Sequence, residues 1–225
     1  MHWMQTMGPM IHGTGLPPVY MPKACNLNDD KYIKKFVSIP VICAGRMDDP
    51  YTAADAAARG EIDAVGLTRP LLADPDWPAK VEKGDIENIR PCIACHNGCL
   101  ACIFEGKDMC CAVNPAVCRE KAYEIKPAIE KKNVVVIGGG IGGMEAARVS
   151  ALRGHNVSLY EKSGELGGVF IAAAAPDFKE SDKKLIEWYK LQLEKLGIRI
   201  HLNTEVTAET IASLHAGEIF SGYRE

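Results

Sequence analysis

Aromatic residues are scarce, 7% of 225 positions, and the chain has no excess of one charge, with a net charge of -3. Without a basic surplus there is no field to hold nucleic acid or an anionic membrane. No apolar run approaches the length of a membrane span. The opening "MHWMQTMGPMIHGTG" has neither a basic n-region nor an apolar h-region, so it does not read as a secretion leader. Internal repeats and low-complexity tracts are absent too. What the chain does have is cysteine. Six of its nine thiols fall between Arg90 and Pro115, in "RPCIACHNGCLACIFEGKDMCCAVNP". In a chain with no sign of an oxidising compartment, clustered thiols read as metal ligands or redox groups before they read as disulfides. A cytoplasmic location is the matching expectation.

Cys92, Cys95 and Cys99 make a C-x2-C-x3-C run, and a cysteine pair follows at Cys110 and Cys111. Thiolates two to four positions apart can turn inward on one centre, and a more distant fourth closes the cage. Soft sulfur ligands suit iron–sulfur clusters or zinc. The spacing is not that of a zinc ribbon, with its two separated C-x2-C knuckles. A zinc knuckle and metal-free buried thiols are the alternatives. Spacing alone does not choose between Cys110 and Cys111. Cys102, Cys110 and Cys118 read as packing residues, His96 as a loop former, and Gly98 as a point of backbone freedom.

On either side of this segment the pattern is α/β. "IPVICAGRMDDP", "YTAADAAARG" and "IDAVGLTRP" read as strand, helix and strand, a parallel βαβ unit. Leu71 to Gly84 reads as helical, broken by Pro75 and Pro78. Gly45 and Arg46 end the first strand, and Gly66 to Arg69 end the second. Glycine with arginine at neighbouring parallel strand ends can grip a phosphate, although such arginines are as often solvated or salt-bridged. "REKAYEIKPAIEKK" is a charged linker.

From Asn133, "NVVVIGGGIGGMEAARVSALRGHNVSLYEK" gives strand, glycine turn, helix and strand. Gly138, Gly140 and Gly143 stand as G-x-G-x-x-G in the strand-to-helix context that a dinucleotide needs. The first glycine allows the tight turn, the second lets backbone approach a pyrophosphate, and the third lets helix and strand pack closely. Helix N-terminal amides then face the phosphates. Glu161 ends the next strand, where a carboxylate accepts from ribose hydroxyls and repels a 2′-phosphate, so FAD or NAD is favoured over NADP. Leu166, Gly167 and Gly168 form a second close-approach turn. "DKKLIEWYKLQLEKLG" carries apolar residues at helical spacing, and "IRIHL" alternates like a strand.

Taken in order, "PPVYMPKACNL", "SIPVICAGRMDDP", "TRPLLADPDWPAKV", "IRPCIACHNGCL", "CAVNP" and "VVVIGGGIGGMEAAR" resemble one group, the iron–sulfur flavoproteins related to 2,4-dienoyl-CoA reductase, 2-enoate reductase and trimethylamine dehydrogenase. The resemblance spans about residues 16 to 215. It implies three parts: residues 1–90 as the last strands of an FMN-binding (β/α)8 barrel, 91–126 as a 4Fe-4S segment and linker, and 127–225 as an FAD/NAD(P)-binding Rossmann-like domain.

The resemblance assigns the cluster to Cys92, Cys95, Cys99 and Cys111, the C-x-x-N-P ending choosing Cys111. It puts FMN phosphate at Gly45, Arg46 and Arg69, and FAD at Gly138, Gly140, Gly143, Glu161, Leu166, Gly167 and Gly168. Thr68 stands where many relatives have glycine, and Ile141-Gly142 replaces a frequent Pro-Ala pair. The implied activity is reduction of an activated C=C bond in a small unsaturated substrate, with electrons passing from NAD(P)H to FAD, then to the cluster and FMN. Amine dehydrogenation and a non-catalytic electron-transfer or nucleotide-binding subunit are the other readings.

Such a barrel takes about 250 residues, and only 91 precede Cys92 here. The expectation is an interior section of a longer enzyme, with the catalytic proton donor elsewhere and open strand edges that a second chain would cover. Trp3, Met4, Met7 and Met10 are candidates to line the barrel mouth, with core packing or disorder the plainer reading. The family pattern departs near His215.

Overall fold

A computed structural model describes residues 16–214 and 216–222. Trp3, Met4, Met7, Met10 and His215 lie outside them. The chain divides into two compact units, Met1–Arg119 and Glu120–Glu225. Among the described residues no helix is long and apolar enough to cross a membrane.

The first unit contains helix α1 (Leu27–Lys34), strand β1 (Ile42–Ala44), α2 (Pro50–Ala58), β2 (Ala64–Gly66), α3 (Arg69–Ala73), α4 (Trp77–Glu82) and α5 (Leu100–Phe104). β1 and β2 pair in parallel, with Cys43 opposite Val65. The turn before α2 explains its start. Asp49 accepts from the Thr52 amide at 2.9 Å, and Pro50 fills the first turn, where an amide would have no partner. The alanines of α2 then let it lie flat on the strands. Ala53 and Ala56 are buried with Cys43, Met47 and Ile62. The opposite face of β1 is bare, with Ile42 64% exposed.

The two prolines after β2 act differently from each other. Asp74, before Pro75, is extended and ends α3, as a residue preceding proline tends to be. Pro78 sits in the first turn of α4, so it begins that helix instead of breaking it. The Asp74 carboxylate accepts from the amides of Asp76 and Arg90 and from the Lys80 ammonium, which ties the cysteine segment to the α3–α4 corner.

The second unit is a four-stranded parallel sheet in the order β5-β4-β3-β6. Its elements are β3 (Asn133–Ile137), α6 (Ile141–Leu152), β4 (Asn156–Tyr160), α7 (Val169–Ala173), α8 (Glu180–Lys195), β5 (Arg199–His201), α9 (Ala208–Ser213) and β6 (Glu218–Ser221). The chain moves outward from β3 through β4 to β5, then returns to the other side of β3 as β6. Strand order therefore reverses beside β3, and open parallel sheets leave a crevice at that switch point, beyond the carboxyl ends of the strands. Val134, Val136, Leu159, Met144, Leu185 and Leu193 are each at most 2% exposed and form the core. The helical stripe read from the sequence buries Leu185, Ile186, Tyr189 and Leu193 on α8. Trp188 joins them by meeting Tyr189 edge-on and receiving the Arg148 guanidinium 5.7 Å from its centroid. Gly197, at φ +65°, ends the helix. The alternation in "IRIHL" does form a strand, β5. All three β5 residues are exposed, because β5 is the sheet edge.

Helix α6 runs against β3 so closely that a Cβ at Gly143 would stand 1.9 Å from the Gly138 carbonyl oxygen, while one at Gly142 would meet nothing within 4 Å. Gly143→Ala should cost about 1–3 kcal/mol through overpacking, and Gly142→Ala, in the first turn of α6, should gain about 0.4–1 kcal/mol by restricting the unfolded chain. Urea denaturation of the two variants checks both signs. Equal midpoints would refute the close approach.

Candidate functional site

Three constellations lie at strand ends or beside them. The first is a cavity of ≈ 160 Å³ beyond β1 and β2, lined among others by Gly45, Arg46, Gly66, Thr68, Arg69, Cys92 and Ala94. Gly45 has φ +109°, and a Cβ there would meet the Asn26 amide nitrogen at 2.7 Å. That neighbour exists because residues 24–26 dock on the strand end. The amides of Ala24 and Cys25 donate to the carbonyls of Arg46 and Gly45, and Asn26 Nδ2 donates to Ala44 O at 2.9 Å. Arg46 is itself left-handed, at φ +55°, and 8% exposed, and its Nη1 donates to the carbonyls of Val19 and Met21. Its guanidinium is thus anchored by the chain while lining the cavity. Thr68 has φ -119°, so nothing in the backbone there demands glycine, and it starts α3 by accepting from the amides of Leu71 and Leu72.

Arg69 donates Nη2 to Pro17 O at 3.0 Å and pairs through Nη1 with His96 Nε2. His96 sits in the cysteine loop at φ +60°. Burial first, and then the Arg69 charge, push its imidazole below its ordinary value, so the neutral ring accepts from arginine. The sequence placed His96 as a loop former. It does shape the loop, and it also joins that loop to Arg69, the first residue of α3.

The second constellation is a small cavity whose wall includes Cys92, Cys95, Cys99 and Cys111 with Ile93, Leu72 and Val113. All four thiols of the expected set meet there. Cys110 turns away, its sulfur 3.9 Å from that of Cys102. Burial pushes the Cys92 thiol up to about 11, against the opposing pull of the Ala94 amide and Arg69. Among the described residues, no group of three or more His, Cys, Asp or Glu side chains converges on a point that one metal ion could occupy. A four-iron cube takes one thiolate at each corner, so its ligands stand farther apart than those sharing a single ion. Four sulfurs around one apolar hollow fit that donor requirement. Gly98 is needed for a reason the sequence did not show. Its φ is not positive, but a Cβ would sit 2.6 Å from Cys110 O, whose amide donates back to Gly98 O. Arg69, Cys92 and Ala94 belong to the walls of both this cavity and the first one.

The third constellation is the glycine turn after β3. Gly138 takes φ +100°, and Gly140 caps α6 with extended geometry. A Cβ added at Gly140 or Gly142 would meet nothing within 4 Å, so space is open on that side of the turn. The Leu166-Gly167-Gly168 turn, distant in sequence, docks on this one. The Gly167 amide donates to Gly139 O at 2.8 Å, Gly140 and Gly167 form a parallel bridge, and Leu166 packs over Gly139. Glu161 is 6% exposed, and its carboxylate accepts from the Gly139 amide at 2.6 Å and from the Ser163 amide and hydroxyl at 2.8 Å. It therefore clamps the glycine turn to the loop that follows β4 at Ser163. Of a carboxylate's roughly four acceptor positions, about one remains for a ligand.

These are parallel α/β units whose strand ends carry glycine turns, with a buried and a half-buried arginine in the first unit, an architecture of phosphate-bearing cofactor sites. Residues 17–88 match the NADH:flavin oxidoreductase / NADH oxidase family, and residues 115–216 match the pyridine nucleotide-disulphide oxidoreductases. Cinnamate reductase of Clostridium sporogenes is 44% identical over 203 residues, 90% of this chain and 30% of that protein. NADH oxidase of Thermoanaerobacter brockii is 44% identical over 184 residues, 81% of this chain and 28% of that protein. A 2-naphthoyl-CoA reductase in complex with 2-naphthoyl-CoA superposes with a TM-score of 0.86 at 38% identity, covering 91% of this chain and 31% of that one. The chain belongs to the flavin oxidoreductase family of 2,4-dienoyl-CoA reductase and trimethylamine dehydrogenase. It spans less than a third of the length of these relatives.

Burial works to raise the Glu161 pKa, but the Ser163 and Gly139 amides, with the Ser163 hydroxyl and Lys162, outweigh it and hold the carboxyl below its usual value. The stability this ionised group contributes is complete above about pH 4.3 and is lost as pH falls below it. Glu161→Gln should lower stability at neutral pH by about 1.5–3 kcal/mol, the worth of charge-assisted hydrogen bonds, and should flatten the acid limb. Urea midpoints between pH 7 and pH 3 measure it, and an unchanged limb would rule the clamp out.

Proposed function

We propose that this chain is a section of an NAD(P)H-dependent flavin and iron–sulfur oxidoreductase that reduces activated C=C bonds of the enoate or enoyl-CoA type. Residues 1–90 supply the last strands of an FMN-binding (β/α)8 barrel, 91–126 the 4Fe-4S segment, and 127–225 an incomplete FAD/NAD(P)-binding Rossmann-like domain. The relatives named cinnamate reductase and 2-naphthoyl-CoA reductase favour the unsaturated acyl substrate class. A second chain or a longer version of this one supplies the rest of the barrel, with the proton donor.

The carrying observation is the shared wall. Arg69, Cys92 and Ala94 border both the strand-end cavity and the cysteine cavity. A phosphate-bearing ligand in the first would be one residue's thickness from whatever the four thiols hold in the second. When bound, the groups supply complementary chemistry: nicotinamide gives hydride, a cluster carries single electrons, and flavins accept or deliver both, in the order NAD(P)H, FAD, cluster, FMN, substrate.

The chain's own residues do the holding. Gly45 opens the backbone at the β1 end, and Arg46 and Arg69 set fixed positive charge against a phosphate. Cys92, Cys95, Cys99 and Cys111 give up their protons to become ligands. Gly138, Gly140 and Gly143 bring the α6 amides to a pyrophosphate. Glu161 and the turn at Leu166, Gly167 and Gly168 fix that loop and leave an acceptor for a ribose hydroxyl.

Purified without air, the chain should carry about four iron and four sulfide per polypeptide. Cys111→Ser should lose the iron, and Cys110→Ser should keep it. Colourless, iron-free or zinc-loaded wild-type protein would overturn the reading. A flavin assay on the same preparation tests the glycine turn separately, where Gly140→Val should abolish FAD binding and leave the iron content unchanged.

A further inference from the structure

Of the five cysteines outside the cysteine cavity, Cys102 and Cys110 face each other. Cys102 lies on α5 and Cys110 eight residues later, with their sulfurs 3.9 Å apart. Both are half-buried, so small reagents can reach them. The chain between them is a closed loop. The Lys107 amide donates to Cys102 O at 2.8 Å, Gly106 makes the turn at φ +65°, and the Cys110 amide donates to Gly98 O at 3.1 Å. Gly98 has no side chain, and that is what lets Cys110 lie against the entry to α5. Backbone contacts on both sides thus keep the two sulfurs together.

We propose that Cys102 and Cys110 are a reversible dithiol–disulfide site, oxidised by exchange with a low-molecular-weight disulfide such as oxidised glutathione. In the first step, one protein thiolate attacks a sulfur of the reagent. A mixed disulfide forms, and one reagent thiol leaves with the proton. In the second step, the neighbouring thiolate attacks the protein-borne sulfur, the mixed disulfide breaks, and the second reagent thiol leaves with the other proton. The protein loses two electrons and the reagent gains them. The bond formed is about 2.05 Å long, and the sulfurs begin in contact across the loop. Closure ties α5, which follows Cys99, to the residue before Cys111. The site lies on the segment between the third and fourth thiols of the cavity without using any of them. The inference rests on the contact geometry and stands whether or not a cluster occupies the cavity.

The test uses the whole chain, prepared without air, reduced with dithiothreitol, desalted and exposed to oxidised glutathione. Denaturing alkylation with N-ethylmaleimide and tryptic digestion follow. Trypsin cuts after Lys107, between the two cysteines, so the bond would appear as two joined peptides. The expected result is two fewer alkylated thiols, a Cys102–Cys110 link, and its loss on re-reduction. In Cys102→Ser the reaction should stop at a glutathione adduct on Cys110, with no joined peptides. Wild-type protein with Cys102 and Cys110 both alkylated, or joined through other cysteines, would overturn the proposal. So would a link that survives in Cys102→Ser. The wild-type mapping decides even where a variant fails to fold.

Discussion

At two strand ends the backbone passes closer to its neighbours than a Cβ permits, and the sites depend on that closeness. At the end of β3, α6 leaves over Gly138 with Gly143 against its carbonyl. The approach directs the first amides of α6 beyond the sheet instead of along it. At the end of β1, Gly45 admits Asn26 and Cys25 in the same way, and this brings the carbonyls of residues 19–21 over Arg46. A side chain at Gly143 would displace the Gly138 backbone, and one at Gly45 would displace the side chains of Asn26 and Cys25. Backbone held in a hydrogen-bonded sheet yields at greater cost than a flexible tip.

From these fixed points the remaining polar groups are placed by satisfying one another. Glu161 is buried because it has donors. Two amides and a hydroxyl meet a carboxylate that would otherwise resist leaving water. Arg69 is held by Pro17 O and the ring of His96, so the cysteine loop and the β2 end share one hydrogen-bonded corner. That corner makes Arg69, Cys92 and Ala94 common to two cavities. Nearby, four cysteines line one hollow, and Cys102 and Cys110 face each other outside it.

Much of this was legible in order along the chain. The β3–turn–α6–β4 run announced itself because strand, glycines and helix are contiguous and each obeys a local rule. The βαβ piece around α2 did so for the same reason. Local rules misled at one place. Pro78 looked like a break and is a start, since a proline in the first helical turn lacks only an amide that had no partner. "IRIHL" alternates and is a strand, and only the fold shows that β5 lies at the sheet edge.

By itself the sequence determined the parallel α/β character, the spacing of the thiols, and which glycines stand between strand and helix, because these are matters of neighbours along the chain. Tertiary structure alone decided that the turn at residues 166–168 rests on the turn at 138–140, and that Glu161 ties the latter to Ser163. It also decided that Gly98 is small to admit Cys110, and that Cys111 faces the hollow while Cys110 does not. Each of these is a contact between segments whose separation in sequence carries no periodic signal. The direction of a side chain follows from the backbone beneath it, and that backbone is set by packing that no local pattern encodes.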